Sequence, residues 1–172
     1  MKADPGEIGS PEKLTAKHDL SLFDCGEPRL DDWLRRRALQ NEASGASRTY
    51  VVGVGGRVVG YYTIASGAVA HSEAPGRLKR NLPHPVPVIV LGRLAVDRTL
   101  QEKGVGTGLL RDAVLRTLQA AEIAGIRAIL IHAIADESKR FYERHGFIAS
   151  PVDPLTVMIG LAEAARILGC AT

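Results

Sequence analysis

The segment that decides the fold reads Leu94-Ala95-Val96-Asp97-Arg98-Thr99-Leu100-Gln101-Glu102-Lys103-Gly104-Val105-Gly106-Thr107-Gly108-Leu109-Leu110. An apolar strand enters a polar turn, and the turn opens a helix through glycines. The N–H groups of a first helical turn lack intrahelical partners, and with the helix dipole they attract anions. Glycine also lets a phosphate approach the backbone without meeting a Cβ atom. The segment indicates a phosphate site, although glycines chosen for packing explain the pattern equally well.

Two common phosphate motifs do not fit this segment, whereas a third does. A P-loop requires Gly-x-x-x-x-Gly-Lys-Ser/Thr, which the chain lacks. A dinucleotide-binding fingerprint requires a glycine where Leu109 stands. Gln101-x-x-Gly104-x-Gly106, followed later by Phe141-Tyr142-Glu143-Arg144-His145-Gly146-Phe147, resembles the signature of the GNAT acetyltransferases. The resemblance extends from about Leu14 to Ile159.

Other segments narrow this resemblance to one branch of the family. They are Phe23-Asp24-Cys25-Gly26, Leu30-Asp31-Asp32-Trp33-Leu34, Ser47-Arg48-Thr49-Tyr50-Val51, Val59-Gly60-Tyr61-Tyr62, Leu91-Gly92-Arg93-Leu94-Ala95-Val96-Asp97 and Pro154-Leu155-Thr156. Together they are similar to the TacT-like toxins of toxin–antitoxin pairs. The resemblance implies that acetyl-CoA acetylates the α-amino group of aminoacyl-tRNA, which stops translation. It also implies neutralisation by a ribbon–helix–helix antitoxin.

Hydrophobic periodicity predicts alternating strands and helices along the chain. The predicted strands are 12–16, 49–54, 57–66, 88–96, 128–133 and 155–159, and the predicted helices are 28–44, 104–125, 136–145 and 161–168. Gly55-Gly56 predicts a hairpin, and 68–87 reads as irregular. We expect an α/β (α+β mixed) protein with the GNAT fold. Its central sheet would be mixed, mostly antiparallel and splayed in the middle, with helices on both faces.

Length and composition agree with one globular domain. The chain has 172 residues, 45% hydrophobic and 24% charged, which excludes a disordered chain, a coiled coil and a collagen. Residues 1–11 read as a flexible tail and 12–172 as a single acetyltransferase domain. No apolar run reaches membrane length, and residues 1–12 lack the apolar core that is expected of a signal peptide. Cys25 and Cys170 suit reduced thiols. We expect a cytoplasmic protein without a membrane partner.

The basic residues point to a polyanionic partner. The net charge is only +3, but residues 77–116 hold eight basic and three acidic side chains, and the chain has 16 Arg against 6 Lys. Arginine suits bidentate phosphate contacts. Part of this charge would face the coenzyme, and the Arg35–Arg37 run is equally well explained as a solvated helix face. The residues that we expect to bind tRNA are Arg77, Lys79, Arg80, Arg93 and Arg36.

The acetyl-CoA site is expected on the strand–turn–helix segment and on the later helix. N–H groups of residues 103–108 would hold the pyrophosphate, and the backbone of 94–96 would pair with the pantetheine arm. The predicted coenzyme-binding residues are Leu94, Ala95, Val96, Gln101, Glu102, Lys103, Gly104, Val105, Gly106, Thr107, Gly108, Ser138 and Phe141.

Tyr142 is the predicted general acid, because a phenol can protonate the departing thiolate of the coenzyme. The alternative is that its ring only packs in the core, as Phe141 and Phe147 are expected to do. Many GNATs carry Asn seven residues before this tyrosine. Ala135 stands there instead, so the coenzyme contact from this helix stays open.

The histidines do not predict a metal site. His18, His71, His84, His132 and His145 are scattered without ligand spacing. His132 lies in an apolar run and is expected to be a core residue. Two rival functions remain: a GNAT that acts on a small-molecule amine or a protein amino group, and a non-catalytic acyl-CoA-binding regulator. The aminoacyl-tRNA used and the oligomeric state, a homodimer included, stay open.

Overall fold

The computed structural model describes residues 7–78 and 82–170. Its strands are β1 Glu12–Lys13, β2 Arg48–Val54, β3 Arg57–Val69, β4 Val86–Val96, β5 Ala128–His132, β6 Ile148–Ala149 and β7 Thr156–Gly160. Its helices are α1 Pro28–Arg36, α2 Ala38–Ser44, α3 Val105–Ala121, α4 Asp136–Arg144 and α5 Leu161–Ile167. Short 3-10 helices occupy His71–Glu73, Gly76–Leu78 and Arg98–Leu100.

The strands form one seven-stranded sheet in the order β1-β2-β3-β4-β5-β7-β6. Strands β4 and β5 run parallel, whereas β1–β2, β2–β3, β5–β7 and β6–β7 are antiparallel. The β4–β5 ladder ends at the pair Leu91↔Ile131, although β4 continues to Val96. The expected mixed, mostly antiparallel sheet is therefore confirmed, and the early end of this ladder agrees with the expected splay.

The chain divides into two compact units. The first comprises residues up to 65 together with 93–112, and the second comprises 66–92 together with residues from 113 onward. In the first unit, one core cluster consists of Leu14, Phe23, Leu34, Ala38, Val51, Val58, Tyr61 and Ala95. In the second unit, one core cluster consists of Ala74, Val86, Val88, Ala128, Leu130 and Met158. The single acetyltransferase domain over 12–172 stays a prediction.

Two segments of the first unit differ from the prediction. The expected helix over 28–44 is broken at Arg37, whose φ of −121° leaves the helical range. Leu34 and Ala38 on either side of the break are still fully buried in the same cluster, so the apolar stripe keeps its role. The first strand ends at Lys13, because the Thr15 N–H turns to donate to Nδ1 of His18 (2.9 Å).

The helix that follows the glycine segment also starts later than expected. Gly104 has φ +85°, which is outside the helical region, so α3 begins at Val105. It ends at Ala121 in a turn rather than at Gly125. The two-residue strand β6 was not predicted; it is too short to give a periodic pattern and is defined by its pairing with β7.

Candidate active site

A buried carboxylate fixes the turn between β4 and α3. Asp97 is 2% exposed, and its side chain accepts the N–H groups of Asp24 (3.2 Å) and Thr99 (3.1 Å) and the Thr99 hydroxyl (2.8 Å). The guanidinium of Arg57 lies 3.6 Å from the same carboxylate. These contacts hold the end of β4 in one conformation, which is where the backbone pairing with the pantetheine arm is predicted.

Gln101, the first residue of the predicted coenzyme motif, ties two backbone segments together. Its amide nitrogen donates to the carbonyl oxygens of Cys25 (2.8 Å) and Val96 (2.9 Å). The side chain thereby links the end of β4 to the Asp24–Gly26 turn that precedes α1. The side-chain N–H₂ carries two donor hydrogens, so one amide can serve both carbonyls, which gives a structural reason for glutamine at this position.

The backbone that follows Gln101 forms an exposed, positively polarised turn. Glu102 and Gly104 both have positive φ, 61° and 85°. Residues 101–104 are exposed, and the N–H groups of Val105 and Gly106 make no hydrogen bond with any described residue. Such N–H groups at a helix start are suited to bind an anion.

Gly108 distinguishes the two explanations of this glycine-rich segment. A Cβ atom built on Gly108 would meet nothing within 4 Å, and its φ is not positive. Neither packing among the described residues nor backbone conformation therefore requires glycine at this position. The close approach of an external group explains it better than packing does.

An arginine and two aromatic rings form a stack in the first unit. The Arg93 guanidinium carbon lies 4.1 Å from the centroid of the Trp33 ring, and Trp33 lies nearly parallel to Tyr61 at 6.1 Å and 7°. Tyr61 is anchored in turn, because its hydroxyl donates to the carbonyl of Leu30 (2.7 Å). Partial burial lowers the pKa of Arg93, although arginine stays charged under all physiological conditions. The Arg93 guanidinium makes no hydrogen bond or ion pair within the described chain.

The structure separates the members of the Arg35–Arg37 run. Arg35 donates to the carbonyl of Phe23 (2.6 Å) and lies 3.4 Å from Asp32, so it supports the fold. Arg36 is exposed at the end of α1 and has no ion pair among the described residues. Arg37, at the break between α1 and α2, is also exposed and has no ion pair in the described chain, so the charges of both Arg36 and Arg37 are available to a partner.

Tyr142 lies on α4 in the second unit. It is 5% exposed, and its ring packs edge-to-face on Phe141 (5.1 Å) and Phe147 (5.8 Å). The hydroxyl makes no hydrogen bond with any residue that the structure describes. Burial raises the pKa of the phenol well above its usual value, so the group keeps its proton. The ring therefore packs in the core, as expected if Tyr142 were a packing residue, while the hydroxyl remains available to a substrate.

Ser138 and Phe141, the other predicted coenzyme contacts on α4, have local partners. The Ser138 hydroxyl donates to the carbonyl of Ala135 (2.9 Å) and accepts its N–H (3.2 Å), which caps the start of the helix. The Phe141 ring lies 4.8 Å from that of His145. Both residues help to set the position of α4, and their contact with the coenzyme stays a prediction.

The expectation that His132 is a core residue was wrong. It is exposed at the end of β5, directly beyond the last β4–β5 pair, Leu91↔Ile131. Its Nδ1 lies 2.8 Å from the hydroxyl oxygen of Thr156, its cross-strand neighbour on β7. The four apolar residues before it are buried, and a polar residue closing such a run was the available signal of a strand end.

The predicted tRNA contacts from the irregular segment are only partly described. Arg77 is exposed, and its guanidinium lies 3.6 Å from Glu163. It lines a cavity of about 450 Å³ together with Arg127 and Leu161. Lys79 and Arg80 lie outside the described residues, as do residues 1–6 of the predicted tail. Within the first unit, by contrast, Gly9 donates to Gly53 at the backbone (3.0 Å).

Residues 7–78 and 82–170 contain no group of three or more His, Cys, Asp or Glu side chains that could hold a metal ion. None of the helices in these ranges combines the length and the apolar character that a membrane span requires.

Comparison with known proteins identifies the family. The model of the Acetyltransferase (GNAT) domain matches residues 45–149. The chain is 51% identical to the "tRNA-acetylating toxin" of Mycobacterium tuberculosis (strain ATCC 25618 / H37Rv), over 93% of this chain and 96% of that protein. It is 26% identical to the "Probable toxin TacT" of Sinorhizobium fredii (strain NBRC 101917 / NGR234), over 89% and 91% of the two chains.

Solved structures agree with this assignment. "AtaT complexed with acetyl-methionyl-tRNAfMet" is 26% identical with a TM-score of 0.85, covering 93% of this chain and 98% of that one. "AtaTR bound with AcCoA" is 26% identical with a TM-score of 0.80, covering 94% and 98%. The expected fold and family are thus confirmed, and the chain belongs to the GNAT acetyltransferases as a homologue of the tRNA-acetylating toxins.

Proposed function

We propose that the protein is a toxin that transfers the acetyl group of acetyl-CoA to the α-amino group of aminoacyl-tRNA and so blocks translation. The observation that carries this proposal is the 51% identity with a tRNA-acetylating toxin over 93% of this chain and 96% of that one. The match leaves no large part of either chain uncovered, so it includes both the donor side and the acceptor side. AtaT, a more distant relative, has been solved with acetyl-CoA and with an acetylated aminoacyl-tRNA.

On the donor side, the exposed turn before α3 fits a pyrophosphate. The N–H groups of Val105 and Gly106 have no partner among the described residues, and the surface at Gly108 is open. The exposed Lys103 adds a positive charge beside them. The end of β4, held by Asp97, supplies backbone groups that pair with the pantetheine arm.

In the transfer itself, Tyr142 protonates the departing thiolate. Its hydroxyl makes no hydrogen bond within the described chain, and its raised pKa keeps the proton on the phenol until a strong base forms nearby. A thiolate that forms in a site from which water is excluded is such a base. The ring contacts with Phe141 and Phe147 hold the hydroxyl in place.

On the acceptor side, Arg93, Arg36 and Arg77 contact tRNA phosphates. All three have part of the guanidinium accessible, and neither Arg93 nor Arg36 is paired with a carboxylate in the described chain. An ionic contact of this kind gives an affinity that falls as salt is raised. Lys79 and Arg80 from the same basic segment complete the predicted set.

The proposed partner that controls the toxin is a ribbon–helix–helix antitoxin. AtaT has been solved with the C-terminus of its antitoxin AtaR and, with AtaR, on DNA. Because its substrate would be charged tRNA, the proposed location is the cytoplasm.

The test is acetyl transfer from radiolabelled acetyl-CoA. The purified protein is given total charged tRNA, uncharged tRNA, or charged tRNA whose amino groups have been blocked. The proposal predicts label in the first sample alone, released by mild alkali, which cleaves the aminoacyl ester. Label on small amines or on ribosomal protein, with none on charged tRNA, would favour the rival GNAT activity.

A further inference from the structure

Three polar side chains form a hydrogen-bonded chain that runs from the end of β5 to the turn before β7 and has no part in the steps above. Nδ1 of His132 lies 2.8 Å from the Thr156 hydroxyl oxygen, and that hydroxyl donates to Oδ2 of Asp153 at 2.7 Å. The turn that carries Asp153 is fixed, because its other carboxylate oxygen accepts the Leu155 N–H (3.1 Å). All of these residues belong to the second unit.

Hydrogen counting along this chain fixes the tautomer of His132. The Asp153 carboxylate accepts the Thr156 hydroxyl and the Leu155 N–H, and these bonds lower its pKa, so it is ionised and cannot donate. The Thr156 hydroxyl has one proton, which goes to Asp153. Its oxygen can only accept from His132, so Nδ1 carries the imidazole proton. The neutral ring then has an unprotonated Nε2.

Nε2 of His132 is available to a substrate. The residue is exposed, and Nε2 has no hydrogen-bond partner among residues 7–78 and 82–170. An imidazole with a fixed tautomer and a free lone pair is a competent proton acceptor.

His132 lies in the second unit together with Tyr142, the predicted general acid. It is the first β5 residue after the last β4–β5 pair, so it marks the point at which these two strands stop pairing. The helix that carries Tyr142 begins at Asp136, four residues after His132.

We propose that Nε2 of His132 is the general base that removes a proton from the α-amino group of the acceptor, an inference that rests on the proposed function. Aminoacyl amines have a pKa near ~8, so a large fraction is protonated at neutral pH and cannot attack. His132 takes one proton from the ammonium, and the neutral amine nitrogen then forms a bond to the acetyl carbonyl carbon while the carbon–sulfur bond breaks. Tyr142 gives its proton to the departing thiolate, and the acylated nitrogen loses its second proton to solvent. Tyr142 regains a proton from solvent and His132 releases the one it took, so both side chains return to their starting states.

The discriminating variant is His132→Asn. Asparagine places an N–H₂ near the position of Nδ1 and keeps the donor toward Thr156, but it has no counterpart of Nε2. General-base catalysis contributes roughly 10²–10⁴-fold, so turnover should fall at least ~100-fold while the KM for acetyl-CoA and the melting temperature stay unchanged. Turnover within about threefold of the wild type would overturn the assignment.

A rescue experiment separates a base from a merely structural histidine. Added imidazole should restore part of the turnover of His132→Ala, because the small base can occupy the vacated space. No restoration by imidazole in a folded His132→Ala protein would also overturn the assignment. Thr156→Val, which removes the acceptor for the Nδ1 proton, should lower turnover about tenfold and alter the pH profile.

His18→Gln is the matched control. His18 has a side-chain oxygen partner, Oε1 of Glu12 at 2.7 Å, as His132 has that of Thr156, but it lies in a surface turn near the start of the first unit. The turnover of His18→Gln should equal that of the wild type. If the wild-type protein does not acetylate charged tRNA at all, the proposed function fails. If the wild type acetylates it and His132→Asn does so equally well, only the assignment of the base fails.

Discussion

The Arg93 guanidinium lies over the Trp33 ring, with its central carbon 4.1 Å from the ring centroid. The arginine is on β4 and the tryptophan is on α1, sixty residues earlier. Trp33 is backed by the parallel ring of Tyr61. A guanidinium held flat on a rigid ring keeps its N–H edge free for a phosphate and loses little side-chain entropy on binding.

Arg93→Gln should weaken tRNA binding and reduce its salt dependence. Removal of one phosphate contact lowers the slope of log K against log salt by about 0.7–0.9. Filter binding of charged tRNA over a salt series measures the slope. Arg166→Gln, which removes an exposed arginine paired with Glu163, should leave it unchanged. A slope that is equal for Arg93→Gln and wild type would remove Arg93 from the tRNA site.

Gly108→Ala should separate stability from coenzyme affinity. The added methyl meets no atom within 4 Å, so replacing glycine in a helix should raise stability by roughly 0.5–1 kcal/mol. The same methyl would obstruct a phosphate that approaches the backbone, so the Kd for acetyl-CoA should rise. Calorimetry and thermal melting measure the two effects. Gly125→Ala, at another open position, should leave the Kd for acetyl-CoA unaltered. If Gly108→Ala also binds acetyl-CoA with an unaltered Kd, Gly108 has no role in binding the coenzyme.

Tyr142→Phe should abolish most turnover in a fully folded protein. General-acid catalysis contributes roughly 10²–10⁴-fold, while the ring contacts with Phe141 and Phe147 survive the substitution. Because the lost hydroxyl is buried without a hydrogen bond to any described residue, stability should not fall. Single-turnover rates together with acetyl-CoA affinity test this role. A variant that binds acetyl-CoA and turns over like the wild type would leave Tyr142 as a packing residue only.

Asp97→Asn should destabilise the first unit. The substitution removes the charge that faces Arg57 at 3.6 Å and weakens hydrogen bonds to a buried carboxylate, at a cost of about 2 kcal/mol. Urea unfolding measures this loss. Asp32→Asn, which disrupts an exposed ion pair with Arg35, should cost less than ~1 kcal/mol. Equal stability of the two variants would show that Asp97 does not fix the β4–α3 turn.

The strand, turn and helix from Leu94 to Leu110 could be predicted because their signals are local. The local structure there follows from signals between neighbouring residues: an apolar run, polar turn residues and glycines. The order of the larger elements followed from the same kind of pattern. The break at Arg37 could not be predicted, since Arg37 is neither glycine nor proline and the apolar stripe continues across it.

The contacts that shape the candidate site could not be predicted from local sequence patterns. The Arg93–Trp33 stack joins residues far apart in sequence, and the Gln101 amide reaches the carbonyl of Cys25. His132 was misread because its role depends on the register of β5 against β7, which places it opposite Thr156. A one-residue slip in that register would put a different side chain there.

The central claim is tested most directly by mass spectrometry of the aminoacyl-adenosines released from charged tRNA after incubation with the protein and acetyl-CoA. The account predicts that at least one aminoacyl-adenosine gains an acetyl group on its α-amino nitrogen, and that this product is lost with Tyr142→Phe. A charged tRNA pool in which no aminoacyl-adenosine carries an acetyl group, after incubation with folded wild-type protein and intact acetyl-CoA, would contradict it.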